Sequence, residues 1–155
     1  MKLTRRGAAP NGVLYAWNID GSLQQRLPLP RPNNVDGRRG VLLGGQLVDL
    51  AVVTMRAAHE LRVFAISPET RMLTEVTSAR SLEVFKSPDG LALYPRHRDH
   101  ALFAIVSSKH DSSHSQLRRL LLEDDGTGEP WLPAGSQVTW WHGRDDRRRL
   151  LASGI

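Results

Sequence analysis

The chain of 155 residues contains no cysteine. That excludes a disulfide framework and any thiolate metal site, and it leaves the compartment unreadable from redox chemistry. No run approaches the roughly 18 apolar residues of a membrane-spanning helix. The basic start MKLTRRGAAPNG is not followed by an apolar leader segment, so the sequence as it stands is expected to be soluble, with no export signal and no membrane partner. Sustained helical periodicity is missing as well. Gly44-Gly45 is not followed by G-K-[ST], which removes a Walker loop, and no Ser-His-Asp or Cys-His nucleophile is supported by local spacing. What is present is 40% apolar and 24% charged residues, an ordinary globular composition for one domain. Against 16 Asp+Glu stand 21 Lys+Arg, and the net charge of +5 suits a polyanionic partner such as nucleic acid or a phosphorylated small molecule.

Short β-rich runs recur between turn signals. VLYAWNI (13–19) leads through Asp20-Gly21, a strong hairpin signal, into LQQRLPL. The pattern returns as LRVFAI (61–66), the turn SPETR and MLTEV (72–76), and more loosely in QLRRLLLEDDGTGEPWL, whose acidic-glycine turn sits at 124–128. Further strands are expected at 48–54, 90–95, 101–108 and 117–122, each rich in β-branched or aromatic residues and flanked by Gly, Pro, Asp or Asn. Gly44-Gly45 is expected to shape a hairpin. Equivalent hairpins lie about fifty residues apart, a spacing that fits β-propeller blades. Because the same hairpin recurs in the same place, a propeller is favoured over the competing β-sandwich. At about 40 to 50 residues per blade the chain supplies some three blades, whereas a closed propeller needs at least four. Either it is part of a longer ring or the architecture differs.

The stretches GVLYAWNIDGSLQQRL, NNVDGR, VDLAVVTMR, LRVFAISPETRMLTEV, DGLALY and ALFAIVSSKHD carry a resemblance to the β-propeller phytases. These are calcium-dependent phosphomonoester hydrolases acting on inositol hexakisphosphate. The similarity is to their N-terminal half and runs from about residue 12 to 128. It implies an all-β fold, a partial six-bladed β-propeller of about three four-stranded antiparallel blades over 1–128, followed by a divergent tail at 129–155. It also implies a 3-phytase-type hydrolase with calcium as cofactor and phytate or another phosphorylated small molecule as partner. Family members are secreted or periplasmic, while this sequence shows no leader, so its compartment stays open.

The resemblance also assigns residues. Arg56, on residues alone a strand-end arginine reaching solvent, inherits a substrate-phosphate role that its planar, permanently charged guanidinium suits. Lys109 in SSKHD falls where the family has a phosphate-binding lysine, and Arg5-Arg6 sit near its paired lysines. The Val35 carbonyl, with Asn33, Asn34 and Asp36 around it, corresponds to a structural calcium site, although Asn and Asp are also what an ordinary turn uses. Four positions depart from the pattern. Asp89 replaces a phosphate-contacting tyrosine, placing a carboxylate where an anion would be repelled unless calcium screens it. His110 stands for an acidic residue, Met55 for an asparagine, and Thr139 for a calcium-binding glutamate.

The cationic half of the family's machinery is thus kept and much of the acidic half is not. This implies descent from the family with weak or no turnover by this polypeptide alone. The alternative is a non-catalytic phosphate- or partner-binding module, like the incomplete propeller domain that some tandem phytases carry ahead of a full one. Self-association or pairing with a fuller propeller domain is expected, because a partial ring leaves VDLAVVT and ALFAIVSS in need of cover. TWWHGR (139–144) is expected to fit no strand of its blade. His97, His100, His110 and His114 flank the 101–108 strand in polar turns and read as solvated rather than zinc-binding. RDDRRRLL with Trp140-Trp141 is too short and too interrupted by aspartate to favour nucleic acid.

Overall fold

The computed structural model describes residues 1–6, 12–77, 84, 86–108, 115–124, 130–131 and 138–142. Every regular element among them is a β-strand. The first sheet consists of β1 (Lys2–Arg6), β2 (Gly12–Trp17) and β3 (Leu23–Leu29), antiparallel and in that order. Its hairpin forms at Asp20-Gly21, where Gly21 takes a φ of +86° and the Asp20 carboxylate accepts hydrogen bonds from the Ser22 amide and hydroxyl.

The second sheet runs β4 (Pro32–Leu43), β5 (Gln46–Met55), β6 (Glu60–Ile66) and β7 (Leu73–Glu75). Gly44 and Gly45, with φ of +57° and +74°, close the two-residue turn between Leu43 and Gln46, as a type I′ hairpin requires. Asn33, Asn34, Val35 and Asp36 lie within β4. The turn read for them from composition is therefore a strand, made possible because neighbouring strands satisfy their polar groups.

The third sheet is β8 (Pro88–Pro95), β9 (Leu102–Ser108) and β10 (Ser115–Asp124). Its outer position is shared by β11 (Pro130–Trp131), paired with Glu123 and Asp124, and β12 (Val138–His142), paired with residues 115–119. Residues 139–142 thus belong to a strand, contrary to the reading of TWWHGR as strand-free. β11 is too short to occupy the edge of β10 alone, and VTWWH has the β-branched and aromatic composition to fill the remainder.

The sheets stack face to face around two cores, and the second sheet contributes to both. Leu50, Val52, Leu61 and Val63 pack with Leu93, Leu102, Ala104, Val106, Leu120 and Leu122 of the third sheet. Ala51, Val53, Met55, Phe64 and Leu73 pack with Leu14, Ala16 and Leu29 of the first. The period-2 alternation of a strand sends successive residues to opposite faces, so β5 is buried on both sides. The side chain of Gln25 stitches the outer strands together, donating to the Leu73 carbonyl at 3.1 Å and accepting from its amide at 2.7 Å.

VDLAVVT, expected to need a cover from outside, is thus covered on both faces within the chain. Among the described residues, ALFAIVSS packs against another sheet on one face only. Leu102, Ala104 and Val106 face the core, while Phe103 and Ile105 turn to the other side. There the guanidinium groups of Arg96 and Arg119 lie 4.9 and 5.1 Å from the Phe103 ring centre, and Tyr94 beside it is 49% exposed. Phe103 itself is only 5% exposed, but a face closed by guanidinium groups and a half-exposed tyrosine is a weaker seal than a packed sheet. Sedimentation at micromolar concentration is expected to show association through this face, weakened by Tyr94→Glu. A compact monomer with a cooperative melt would show that the chain seals its own core.

Candidate functional site

The inner strands β4 and β8 begin in the same way. Pro32 and Pro88 each follow a residue in the left-handed region, Arg31 at φ +52° and Ser87 at φ +53°. Each proline stands opposite the last residue of the neighbouring strand, Met55 and Ser108 respectively. Each is followed by a break in register that ends at Val35 or Leu91. At the break a hydroxyl from the neighbouring strand captures the amide that the ladder leaves unpaired. Thr54 Oγ1 accepts from Asn34 N at 2.8 Å, and Ser107 Oγ accepts from Gly90 N at 3.0 Å. A Cβ at Gly90 would lie 2.6 Å from that Ser107 oxygen, which explains the glycine. The two sheets therefore repeat one motif, in which Asn33 corresponds to Asp89, Thr54 to Ser107, and Arg56 to Lys109.

Arg56 directly follows β5, its amide donating to the Arg31 carbonyl at 3.1 Å. Its side chain crosses to the next sheet, where Nη2 pairs with Asp89 Oδ1. The same carboxylate oxygen accepts from Asn33 Nδ2 at 2.7 Å, and that amide also reaches the Asp89 carbonyl at 2.8 Å. Asn33 is 3% exposed, whereas the Asp89 side chain is 44% exposed and that of Arg56 23%. An ion pair this open to water contributes about 0–1 kcal/mol. The Asn33 bond adds about 0.5–1.5 kcal/mol. Arg56 Nε is buried without a hydrogen-bond partner among the described residues, so this pose uses the guanidinium fork incompletely.

Asp36 lies deeper along β4 and clamps it to β8. Its Oδ2 accepts from Leu93 N at 2.8 Å, and its Oδ1 accepts from Gly37 N at 2.8 Å and from Arg38 Nη1 at 3.2 Å. Arg38 completes the clamp by donating Nη2 to the Leu93 carbonyl. Val35 packs against the core shared with the first sheet. Calcium needs six to eight oxygens. Here both Asp36 oxygens already accept protein hydrogen bonds, Asn33 turns its NH₂ group toward Asp89, and among the described residues no three His, Asp or Glu side chains gather as a metal-holding group. As placed, Asn33, Val35 and Asp36 do not form a cage for the ion by themselves.

Arg6 ends β1 opposite Val13, and Val13 faces Pro28 on β3 just before the chain crosses to Pro32. The backbone of Arg5 and Arg6 therefore reaches the same end of the stack as Arg56; their side chains lie outside the described set. Lys109 also lies outside the described residues, following Ser108, which is paired with Pro88 beside Asp89. Met55, where the family pattern has asparagine, is fully buried in the core. A cleft of about 540 Å³ lies between the first and second sheets, bordered by Met1, Leu3, Val35, Asp36, Asp49 and Arg71. It runs beside β1 and does not include the Arg56 cluster.

A family model described as Phytase matches residues 7–129. The chain belongs to the phytase family. No curated protein matches it. Phytases are hydrolases built on a β-propeller, and the three antiparallel sheets are a part of that six-bladed architecture. Within the phytase frame, sequence reasoning singled out Arg56 and Asp89 separately and missed that they meet. It also missed Thr54 and Ser107, which read as ordinary strand residues; the available signal was the recurrence of a hydroxyl two residues before each cation, Thr54 before Arg56 and Ser107 before Lys109. Thr54 is fully buried. Thr54→Val keeps the shape and strands the Asn34 amide, and urea unfolding is expected to show a loss of about 1–3 kcal/mol. An unchanged midpoint would mean that this amide finds another partner.

Proposed function

We propose that this chain is the phosphate-binding half of a 3-phytase-type phosphomonoester hydrolase, recognising phosphate groups of inositol hexakisphosphate at the Arg56 end of its sheets and turning over weakly or not at all alone. The observation that supports the reading is the repeated strand entry, at which Arg56 directly follows β5 in the second sheet; in sequence, Lys109 holds the matching place after β9. Arginine suits the task because a guanidinium can grip two phosphate oxygens at once and stays charged at every relevant pH. In phosphoryl transfer such cations position the group and offset the charge that develops on its oxygens. Arg5 and Arg6 would add positive charge from the first sheet.

Calcium carries no step of this reading: Val35, Asn33 and Asp36 would offer it oxygens only if Asp36 left its hydrogen bonds to Leu93, Gly37 and Arg38. Nothing in the binding role of Arg56 depends on the ion. The second reading, a non-catalytic module that binds phosphate or pairs with a fuller propeller domain, is favoured by the engagement of Asp36 in an inter-sheet clamp.

Titration of the purified chain with phytate is expected to show binding that Arg56→Gln weakens about tenfold or more, the usual order for losing a charge-assisted contact. Phosphate release from calcium phytate decides between the readings. Sustained release would overturn the module, and binding without release would support it. Binding unaffected by Arg56→Gln would overturn the phosphate role altogether.

A further inference from the structure

The contact between Arg56 and Asp89 has a chemistry of its own. Asp89 Oδ1 is held by two donors, the Arg56 guanidinium and the Asn33 amide. That is the way a phosphate oxygen would be held at the same place. We propose that Asp89 is a built-in occupant of the Arg56 phosphate seat, so that a phosphate group binds only by displacing the chain's own carboxylate. The inference rests on the reading of Arg56 as a phosphate ligand and adds a residue that controls access to it.

Three observations support displacement over a fixed structural bridge. First, the Asp89 side chain is 44% exposed, so its carboxylate can swing into water and be solvated there. Second, Arg56 Nε lacks a partner among the described residues while Nη2 is engaged, whereas a phosphate taking both Nε and Nη2 would use the whole fork. Third, the motif has a natural comparison within the chain. Asn33 occupies the position in the second sheet that Asp89 occupies in the third, in the same proline-opened, hydroxyl-captured strand entry. The fold therefore accepts a neutral amide there, and the negative charge at Asp89 is not required to build the strand.

The groups that face Asp89 include Arg56 from the end of β5 and Asn33 from β4, with the Thr54 hydroxyl 3.4 Å from its carbonyl oxygen. Arg56 brings a cation and Asn33 a neutral donor, so the carboxylate is the single anion of this trio. A monoanionic carboxylate competes poorly with a phosphate dianion backed by further phosphates on the same ligand. It competes well with a lone monoanion. The latch should therefore discriminate by ligand charge, holding the seat closed to isolated weak anions and yielding to highly phosphorylated ones.

The test compares wild type, Asp89→Asn, Arg56→Gln and the double variant for binding of inorganic phosphate and of phytate in calcium-free buffer, so that no metal screens the carboxylate. Asp89→Asn copies the residue already tolerated at 33. It is expected to tighten inorganic phosphate about tenfold, the effect of removing one repelling charge at contact range, and to tighten phytate less. The gain should vanish in the double variant. If Arg56→Gln weakens binding while Asp89→Asn leaves it unchanged or weaker, the seat exists and the latch is wrong. If neither substitution matters, the phosphate reading of Arg56 fails and the latch with it. Should Asp89→Asn not fold, NMR on the wild-type chain decides. Added phosphate should move the Arg56 Nε–H and the Asn33 side-chain amide resonances together, because displacing Asp89 releases both. A shift at Arg56 alone would overturn the proposal.

Discussion

The two-sided burial of β5 is the constraint on which the rest of this structure depends. Six successive residues, Leu50 to Met55, are all at or below 1% exposure, and they alternate between the core shared with the third sheet and the core shared with the first. A strand with one wet face would keep its polar alternation; one sandwiched between two sheets cannot. The middle sheet therefore fixes the spacing of its neighbours. It also fixes where its own strand stops, and Arg56 is the first residue that can leave the double core. The strand-end arginine is a consequence of that geometry: the chain must end its apolar run where the sheets end, and a cation placed there is carried on a rigid support.

The entry of each inner strand solves a second problem. A proline has no amide to give and a left-handed residue precedes it, so the ladder starts with a fault. Thr54 and Ser107 repair the fault by accepting the stranded amide, one from a fully buried position. Because the repair hydroxyl comes from the strand that ends in the cation, the same contact that starts one strand also aligns the end of the next. Site geometry and fold are here one set of hydrogen bonds. The Asp36 and Arg38 clamp onto Leu93 extends that coupling down the inner strands, tying the second sheet to the third through both the amide and the carbonyl of one residue.

Charge placement follows from the same scaffold. Within the described structure the acidic groups near the strand ends are committed to protein partners, Asp89 to Arg56 and Asn33, and Asp36 to Leu93, Gly37 and Arg38. Asp36 thereby ties the second sheet to the third, while Asp89 occupies the guanidinium of Arg56.

The sequence by itself determined the class of the fold, the hairpins at Asp20-Gly21 and Gly44-Gly45, most of the outer strands and the family, because turn chemistry, β-branched runs and motif order are local properties. Arg56 was legible for the same reason: it interrupts an apolar run. Of the inner strands, β8 was legible from residue 90 onward and β4 was not. β4 carries Pro, Asn, Asp, Gly and Arg, residues that favour turns when judged by their neighbours in sequence, and become strand residues because partners some twenty to sixty positions away, Thr54, Asp89 and Leu93, satisfy them. The pairing of β12 with β10 was hidden likewise, since an edge strand is defined by the edge it meets. Only the tertiary structure decided that Asp89 meets Arg56. Opposite charges 33 residues apart carry no mark of their contact, and it takes the stacking of one sheet on the next to bring them together.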